Sequence, residues 1–303
     1  MTPELSSSKL IEQMMSKANK RKDALLRLRN WNRVIRWVVD GDQVFWKTDT
    51  GEITVSSPKE PNITITCSKE TLKKISSQEL PFFLALWATG DLQFKGSFSD
   101  AHRLGYIFLS DKNDKRKRRV VFLAHCFLNI NTRFPEGSAF AGANIPLIQA
   151  LLLKEVGIIQ MPCPEFLCLG LEKELAGELS ESEIRACFRK QAESVVNQIR
   201  QFLNFGYEIQ GIIGMNPSPS CGVEICKGKG KFLGLDEDTS EKKESGVFIE
   251  ELQNAAQKRG LGQLPIFGIR RILTGESGME ERLRVLNEKL SISDGLSPIS
   301  AYE

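Results

Sequence analysis

Beyond Val120 the chain alternates short apolar runs with longer amphipathic stretches, and that alternation restricts it to few folds. VVFLAH, IIQMP, EIQGIIGMNP and PIFGIRRIL read as buried strands. Between them ANIPLIQALLLKEVG, SESEIRACFRKQAESVVNQIRQFLNFGY and SGVFIEELQNAAQKRG read as helices, the second opened by a Ser180–Glu183 capping box. A hairpin-like insert precedes the last of these helices. Strand–helix alternation of this kind predicts an α/β domain, a parallel sheet wrapped by helices.

The first third follows another rule. From Trp31, VIRWVV, QVFWKT, EITVS and NITITC alternate apolar and polar residues between Asp-Gly, Thr-Gly and Pro-Asn turn signals, which predicts a run of antiparallel strands. SKETLKKISSQEL reads as a helix with Ser68 as N-cap and Glu70 in its first turn. PFFLALWATG, a strand DLQFKGSF and a helix SDAHRLGYIFLS, capped by Ser99 or Asp100, complete an α+β pattern. The expected organisation is a polar tail or frayed helix over 1–20, an α+β domain over 21–112, a basic linker over 113–119, the α/β domain over 120–275, and a C-terminal helix and tail over 276–303.

Three cysteines sit just past the carboxyl ends of predicted strands: Cys126 after VVFLAH, Cys163 after IIQMP, and Cys221 after GIIGMNPSPS. Ligands of open α/β sheets gather in that crevice. Separations of 37 and 58 residues mean that only the fold can unite the three. Thiolates are soft ligands for zinc or iron–sulfur clusters, and three of them leave one metal position open. Spacing does not choose between the two metals. Cys168 and Cys226, each five residues beyond a proposed ligand, are candidates for a fourth. Cys67 and Cys187 read as core.

Bulk properties exclude several classes. No apolar run approaches the ~18 residues that span a membrane. The start lacks the apolar segment of a secretory signal. Seven cysteines without regular spacing argue against a secreted disulfide framework, so a cytoplasmic location is expected. A net charge of +3 does not by itself imply nucleic acid, but basic residues crowd Lys17–Arg36 and Lys112–Arg119. Such runs are solvated linkers or contacts to RNA phosphates.

Cys126-Phe-Leu, Cys163-Pro-Glu and Ser218-Pro-Ser-Cys221-Gly together resemble the thiouracil desulfidase (TudS-like) family in order and spacing, over roughly residues 119–273. The resemblance implies a [4Fe–4S] cluster on Cys126, Cys163 and Cys221. It further implies replacement of the sulfur of a thiolated pyrimidine, of thiouracil or thiouridine type, by oxygen from water. Glu165 and Ser218 are then the catalytic candidates, and Arg133 and Ser220 contact substrate or support the cluster. Where the family commonly has a second cysteine followed by Arg-Tyr-Asp-Gly, this chain reads Thr132-Arg133-Phe134-Pro, so Arg133 is the candidate for the family arginine's place. His125 before the first ligand is a further departure.

Residues 21–112 resemble the sterol carrier protein type 2 fold through VVDGDQVFWKTD, NITITCSKETLKKI and the Gly90–Gly96 strand. That resemblance implies helices over a five-stranded sheet around an apolar tunnel, for which Phe82, Phe83, Leu86, Trp87 and Phe108 are candidate lining. The expected function is a [4Fe–4S]-dependent, non-redox desulfidase acting on a small thiolated pyrimidine or on tRNA. The alternative is a carrier of lipid or another apolar ligand with a structural or sensory iron–sulfur module.

Overall fold

Leu10, Ile11, Met14, Met15 and Ala18 recur at the spacing of one helical face, and this decides the fate of the polar start. In a computed structural model, which describes residues 5–49, 51–109, 116–133, 138, 140–235 and 238–270, with 284, 286, 288 and 290 beyond them, those five side chains are buried on α1 (Ser7–Asn19). Residues 7–19 are therefore a helix packed into the core, not a polar tail or a frayed helix. The Ser6 hydroxyl caps it by accepting from Lys9 N. The chain divides into two compact units, Met1–Arg116 with Asn204–Gly206, and Lys117–Leu203 with Tyr207–Glu303.

In the first unit α2 (Lys22–Leu28) leads to β1 (Arg33–Val39), β2 (Asp42–Asp49) and β3 (Glu52–Val55), an antiparallel meander. Asp40 and Gly41 join β1 to β2 with φ of 47° and 95°, the left-handed pair that a tight hairpin needs. β4 (Ile63–Cys67) departs from the expected antiparallel run. It pairs parallel with β1, because the proline-containing segment 56–62 carries the chain from the β3 edge back to the free side of β1. After α3 (Lys69–Ser77) and α4 (Phe82–Trp87) comes β5 (Leu92–Lys95), giving the order β3-β2-β1-β4-β5. Ser68 caps α3 as expected. The cap of α5 (Phe98–Ile107) is Ser97, not Ser99 or Asp100. Asp100 is instead buried, accepting hydrogen bonds from Trp31 Nε1 at 2.7 Å and Arg33 Nε at 3.2 Å. Trp37 and Trp46 fill the centre of this core.

The second unit is built on four parallel strands. β6 (Arg119–Leu123) is followed by α6 (His125–Leu128) and α7 (Ile145–Leu153), then β7 (Gly157–Gln160), α8 (Pro164–Leu169), α9 (Glu181–Asn204) and β8 (Glu208–Asn216). The expected insert is a two-stranded hairpin, β9 (Cys226–Lys227) and β10 (Glu241–Lys242), around α10 (Lys229–Leu233); α11 (Val247–Lys258) and β11 (Ile266–Arg270) close the unit. The order β11-β8-β6-β7 is parallel throughout. The chain leaves β6 toward β7 on one side and returns to β8 on the other, so the topological switch lies between β6 and β8. Ser180 and Glu183 form the predicted capping box on α9. Arg185 and Arg189 of α9 bind Glu250 and Glu251 of α11.

Three expectations need correction. Cys168 of α8 and Cys187 of α9 are joined in a disulfide, so Cys187 is not a plain core thiol and Cys168 is not available as a fourth cluster ligand. Arg119 opens β6, and Lys117 pairs with Glu155 at 3.2 Å, so the basic segment is shorter than 113–119. Lys112–Lys115 and most of 276–303 lie outside the described residues, although Leu286 and Leu290 are buried in this core. No described helix is long and apolar enough to cross a membrane.

Candidate functional site

Each of the three strand-end cysteines is placed by its own loop. Cys126 lies in the single turn of α6 directly after β6, and a 3-10 turn, Ile130–Thr132, follows it. Cys163 is the N-cap of α8, with Pro164 at the first helical position, where its missing N–H costs nothing. Cys221 follows β8 in a loop organised by Ser218, whose hydroxyl accepts from Ser220 N at 3.3 Å and Cys221 N at 3.1 Å. Such side-chain-to-backbone bonds are how serine fixes a turn. Asn216 holds the far side of the loop by accepting from Val223 N at 2.8 Å and donating to Glu224 at 2.6 Å.

The loop is also braced by close backbone approach. A Cβ on Gly246 would lie 2.5 Å from the carbonyl carbon and oxygen of Ser220 and 2.8 Å from Pro219 O. Backbone cannot yield as a flexible side chain does. Gly246→Ala should therefore cost about 1–3 kcal/mol of stability and displace Ser220 and Cys221. Thermal unfolding and iron content after reconstitution check this, with a lower melting point and reduced iron uptake expected.

The fold brings Cys126, Cys163 and Cys221 into one cavity with His125, Thr132, Arg133, Glu165, Met215, Ser218 and Ser220. The side chains nearly fill it, leaving about 10 Å³. A second cavity of about 470 Å³ shares Arg133, Met215 and Ser218 with it and extends to Lys227 and Lys231.

Electrostatics divide the three thiols. A hydrogen bond from Cys163 pulls Cys126 down to about 6, helped by the charge of Arg133 and opposed by burial. The same bond, with burial, pushes Cys163 up. Burial and the charge on Cys126 raise Cys221. One thiolate is thus favoured and two further negative charges are resisted, a situation that a bound cation relieves.

Glu165 is buried, and burial favours its neutral form. Lys173 and Ser220 outweigh burial and hold the carboxyl below the ordinary carboxylate range. Ser220 Oγ donates to Oε1 at 2.6 Å, while Lys173 pairs with Oε2. Ser220 also lies 3.2 Å from Ser218 Oγ and 3.6 Å from Cys221 Sγ. Ser220 is therefore the serine that touches the carboxylate, and Ser218 builds the loop and faces the larger cavity. Arg133 Nη1 lies 3.6 Å from Met215 Sδ. His125 Nδ1 meets Gln160 Nε2, and its buried Nε2 has no hydrogen-bond partner among the described residues. Burial lowers the His125 pKa. Cys226, the other fourth-ligand candidate, is buried beside Glu244 at 3.3 Å.

Sequence reasoning missed Lys173, Lys227 and Lys231. Lys173 lies in a lysine- and glutamate-rich segment and Lys227 and Lys231 in a lysine- and glycine-rich one, where a site lysine looks like any solvated one. Among the described residues no three His, Cys, Asp or Glu side chains are arranged to hold a single metal ion. The donor chemistry does suit an iron–sulfur group: three thiols from three loops, a cation in Arg133, and a carboxylate whose two oxygens are already engaged.

In the first unit a cavity of about 370 Å³ is walled by Met14, Ala18, Ile75, Ile107, Phe108 and Leu109, with Lys17, Lys20 and Arg21 also lining it. Phe82, Phe83 and Phe108 line a neighbouring space of about 20 Å³. Trp87 does not line either one as expected; it is 45% exposed, stacked among Phe83, Phe98 and His102. Leu86 packs against the core.

No family model matches this chain. It is 26% identical over 138 residues to an uncharacterized protein of Methanocaldococcus jannaschii, covering 45% of this chain and 85% of that one. Among solved structures it is similar to palmitated sterol carrier protein 2-like 2 of Aedes aegypti, at 17% identity and a TM-score of 0.28, over 35% of this chain and 96% of that one. It is also similar to sterol carrier protein 2 of Yarrowia lipolytica in its apo form, at 18% identity and a TM-score of 0.25, over 35% and 89% of the two chains. These likenesses concern about a third of the chain and carry no activity across to it.

Proposed function

We propose that the second unit is a desulfidase that replaces the thiocarbonyl sulfur of a thiolated pyrimidine with oxygen from water and releases sulfide. The observation that supports this reading is the meeting of three thiols and a buried, ionised carboxylate in one cavity past the ends of parallel strands. Cys126, Cys163 and Cys221 would hold a [4Fe–4S] cluster, which when bound supplies a Lewis-acidic position for sulfur.

The chain's own residues do the rest. Glu165, kept ionised by Lys173 and fixed by Ser220, accepts a proton from water as it attacks the ring carbon. Ser218, shared by both cavities, orients the ring from the larger one. Arg133 offsets negative charge on the thiolates and the departing sulfur. The balance is thiocarbonyl plus water giving carbonyl plus hydrogen sulfide. No electrons are transferred overall.

The reading is tested by anaerobic assay of the iron-reconstituted chain for sulfide release from thiouracil, thiouridine and thiolated tRNA. Sulfide from any of the three supports it, and none from all three at full iron content overturns it. Turnover of tRNA alone, with binding that falls steeply as salt rises, would identify RNA as the substrate.

A second reading concerns the first unit, as a carrier of an apolar ligand. The 370 Å³ cavity favours it. Displacement of a fluorescent fatty acid probe by apolar ligands, lost on filling the cavity with Ala18→Trp, is the expected result.

A further inference from the structure

Strands β6 and β7 are parallel neighbours with Leu123 opposite Gln160, and Met161 N donates to Leu123 O at 2.8 Å, so both end at the same level of the sheet. His125 opens α6 just past the end of β6 and thereby falls beside Gln160, whose amide Nε2 meets the ring at Nδ1. An amide nitrogen only donates, so Nδ1 accepts and carries no proton. The proton of the imidazole is therefore on Nε2.

That N–H is buried, has no hydrogen-bond partner among the described residues, and belongs to a side chain that lines the thiol cavity. Buried polar groups nearly always have a partner, and one without calls for a reason. The side-chain oxygens of the cavity are already committed. Glu165 takes Ser220 on Oε1 and Lys173 on Oε2, and Ser220 and Ser218 lie 3.2 Å apart. Ser218 Oγ accepts from two backbone N–H groups, and Thr132 Oγ1 lies 3.9 Å from Cys126 Sγ. What remains in the cavity for a donor is sulfur.

We infer that His125 Nε2–H donates a hydrogen bond to a sulfur of the [4Fe–4S] cluster on Cys126, Cys163 and Cys221, with Gln160 fixing the ring so that the proton stays on that nitrogen. The inference rests on the cluster assignment proposed above and is independent of which substrate is used. The Gln160 bond also argues against His125 as an iron ligand. A ligating histidine donates its other ring N–H, whereas this Nδ1 accepts. A donor on sulfur draws electron density from a cluster, which raises its reduction potential. The same withdrawal makes an open iron a stronger Lewis acid, so the bond serves a reaction without net electron transfer.

Redox titration and resonance Raman spectra of the reconstituted full chain, at matched iron content, test this. His125→Leu should keep its iron yet lower the reduction potential, and the Fe–S bands that shift in heavy water in the wild type should shift less. Sulfide release should fall by about 10–100-fold, the usual cost of losing an outer hydrogen bond at a metal site. His125→Gln, which puts an amide N–H near the position of Nε2, should restore both the potential and the heavy-water shift. A role in packing alone would give no such rescue. If His125→Leu does not fold, Gln160→Leu decides, because Gln160 is exposed and its loss frees the ring to turn; the potential should fall there too. An unchanged potential at full iron content overturns the proposal alone and leaves the cluster in place. A wild type that takes up no iron overturns the cluster assignment and this proposal with it.

Discussion

Replacing Cys163 with alanine is expected to abolish the brown iron–sulfur chromophore and all sulfide release. The thiol is the N-cap of α8, donates to Cys126, and shares one cavity with Cys126 and Cys221, so its loss removes a third of the donor set. Cys126→Ala and Cys221→Ala should do the same. Cys226→Ala should not, because that thiol is engaged with Glu244. Neither should Cys67→Ala, which lies in the first unit. Iron and sulfide quantification with visible absorption after anaerobic reconstitution separates these cases. A full four-iron content in Cys163→Ala would remove the cluster assignment. Turnover lost in Cys163→Ala while iron stays complete would point to catalysis in place of ligation.

The convergence behind that expectation was legible in the sequence for a physical reason. In a parallel α/β sheet every strand points the same way, so three residues that each follow a strand must end on one side of it. Apolar runs before Cys126, Cys163 and Cys221 were enough to place them. Less was legible where the signal has no direction. The alternation of NITITC predicts a strand but not its orientation, and β4 runs parallel to β1. The helix over 7–19 was hidden by serine and lysine composition although its apolar face was present in the spacing.

Pairwise partners were the hardest to read. Cys168 lies five residues beyond a proposed ligand, yet it bonds Cys187 because α8 and α9 bring the two together. Chain proximity to a ligand says little once a helix intervenes. Lys173 is similar. Nothing in LEKEL separates a lysine that holds a buried carboxylate from one in solvent, and only the structure sets it against Glu165. The glutamate itself was found through the resemblance carried by Cys163-Pro-Glu and its place two residues beyond a proposed ligand; that it lies in the first turn of a helix capped by Cys163 is seen only in the structure.

Glu165→Gln should retain iron yet lose turnover by about 10²-fold or more, the range for a lost general acid–base group. The amide keeps the shape and can still meet Ser220, but it cannot take a proton from water. The pH behaviour follows from the sign of the shift. Burial pushes the carboxyl up, while Lys173 and Ser220 more than reverse this, so the folded pKa lies below the unfolded value of about 4.3. A depressed carboxylate contributes stability that is fully present above the unfolded pKa and is lost as pH falls through the folded one. Wild-type turnover should therefore show no carboxylate limb between neutral pH and the ordinary carboxylate range. In Lys173→Met the ion pair is gone and burial dominates, so an acid limb should move up toward neutral pH. Measuring kcat against pH for wild type, Glu165→Gln and Lys173→Met at matched iron content resolves the roles. Wild-type turnover in Glu165→Gln would take the carboxylate out of the mechanism. An unmoved limb in Lys173→Met would show that Ser220 and Arg133 suffice to keep Glu165 ionised.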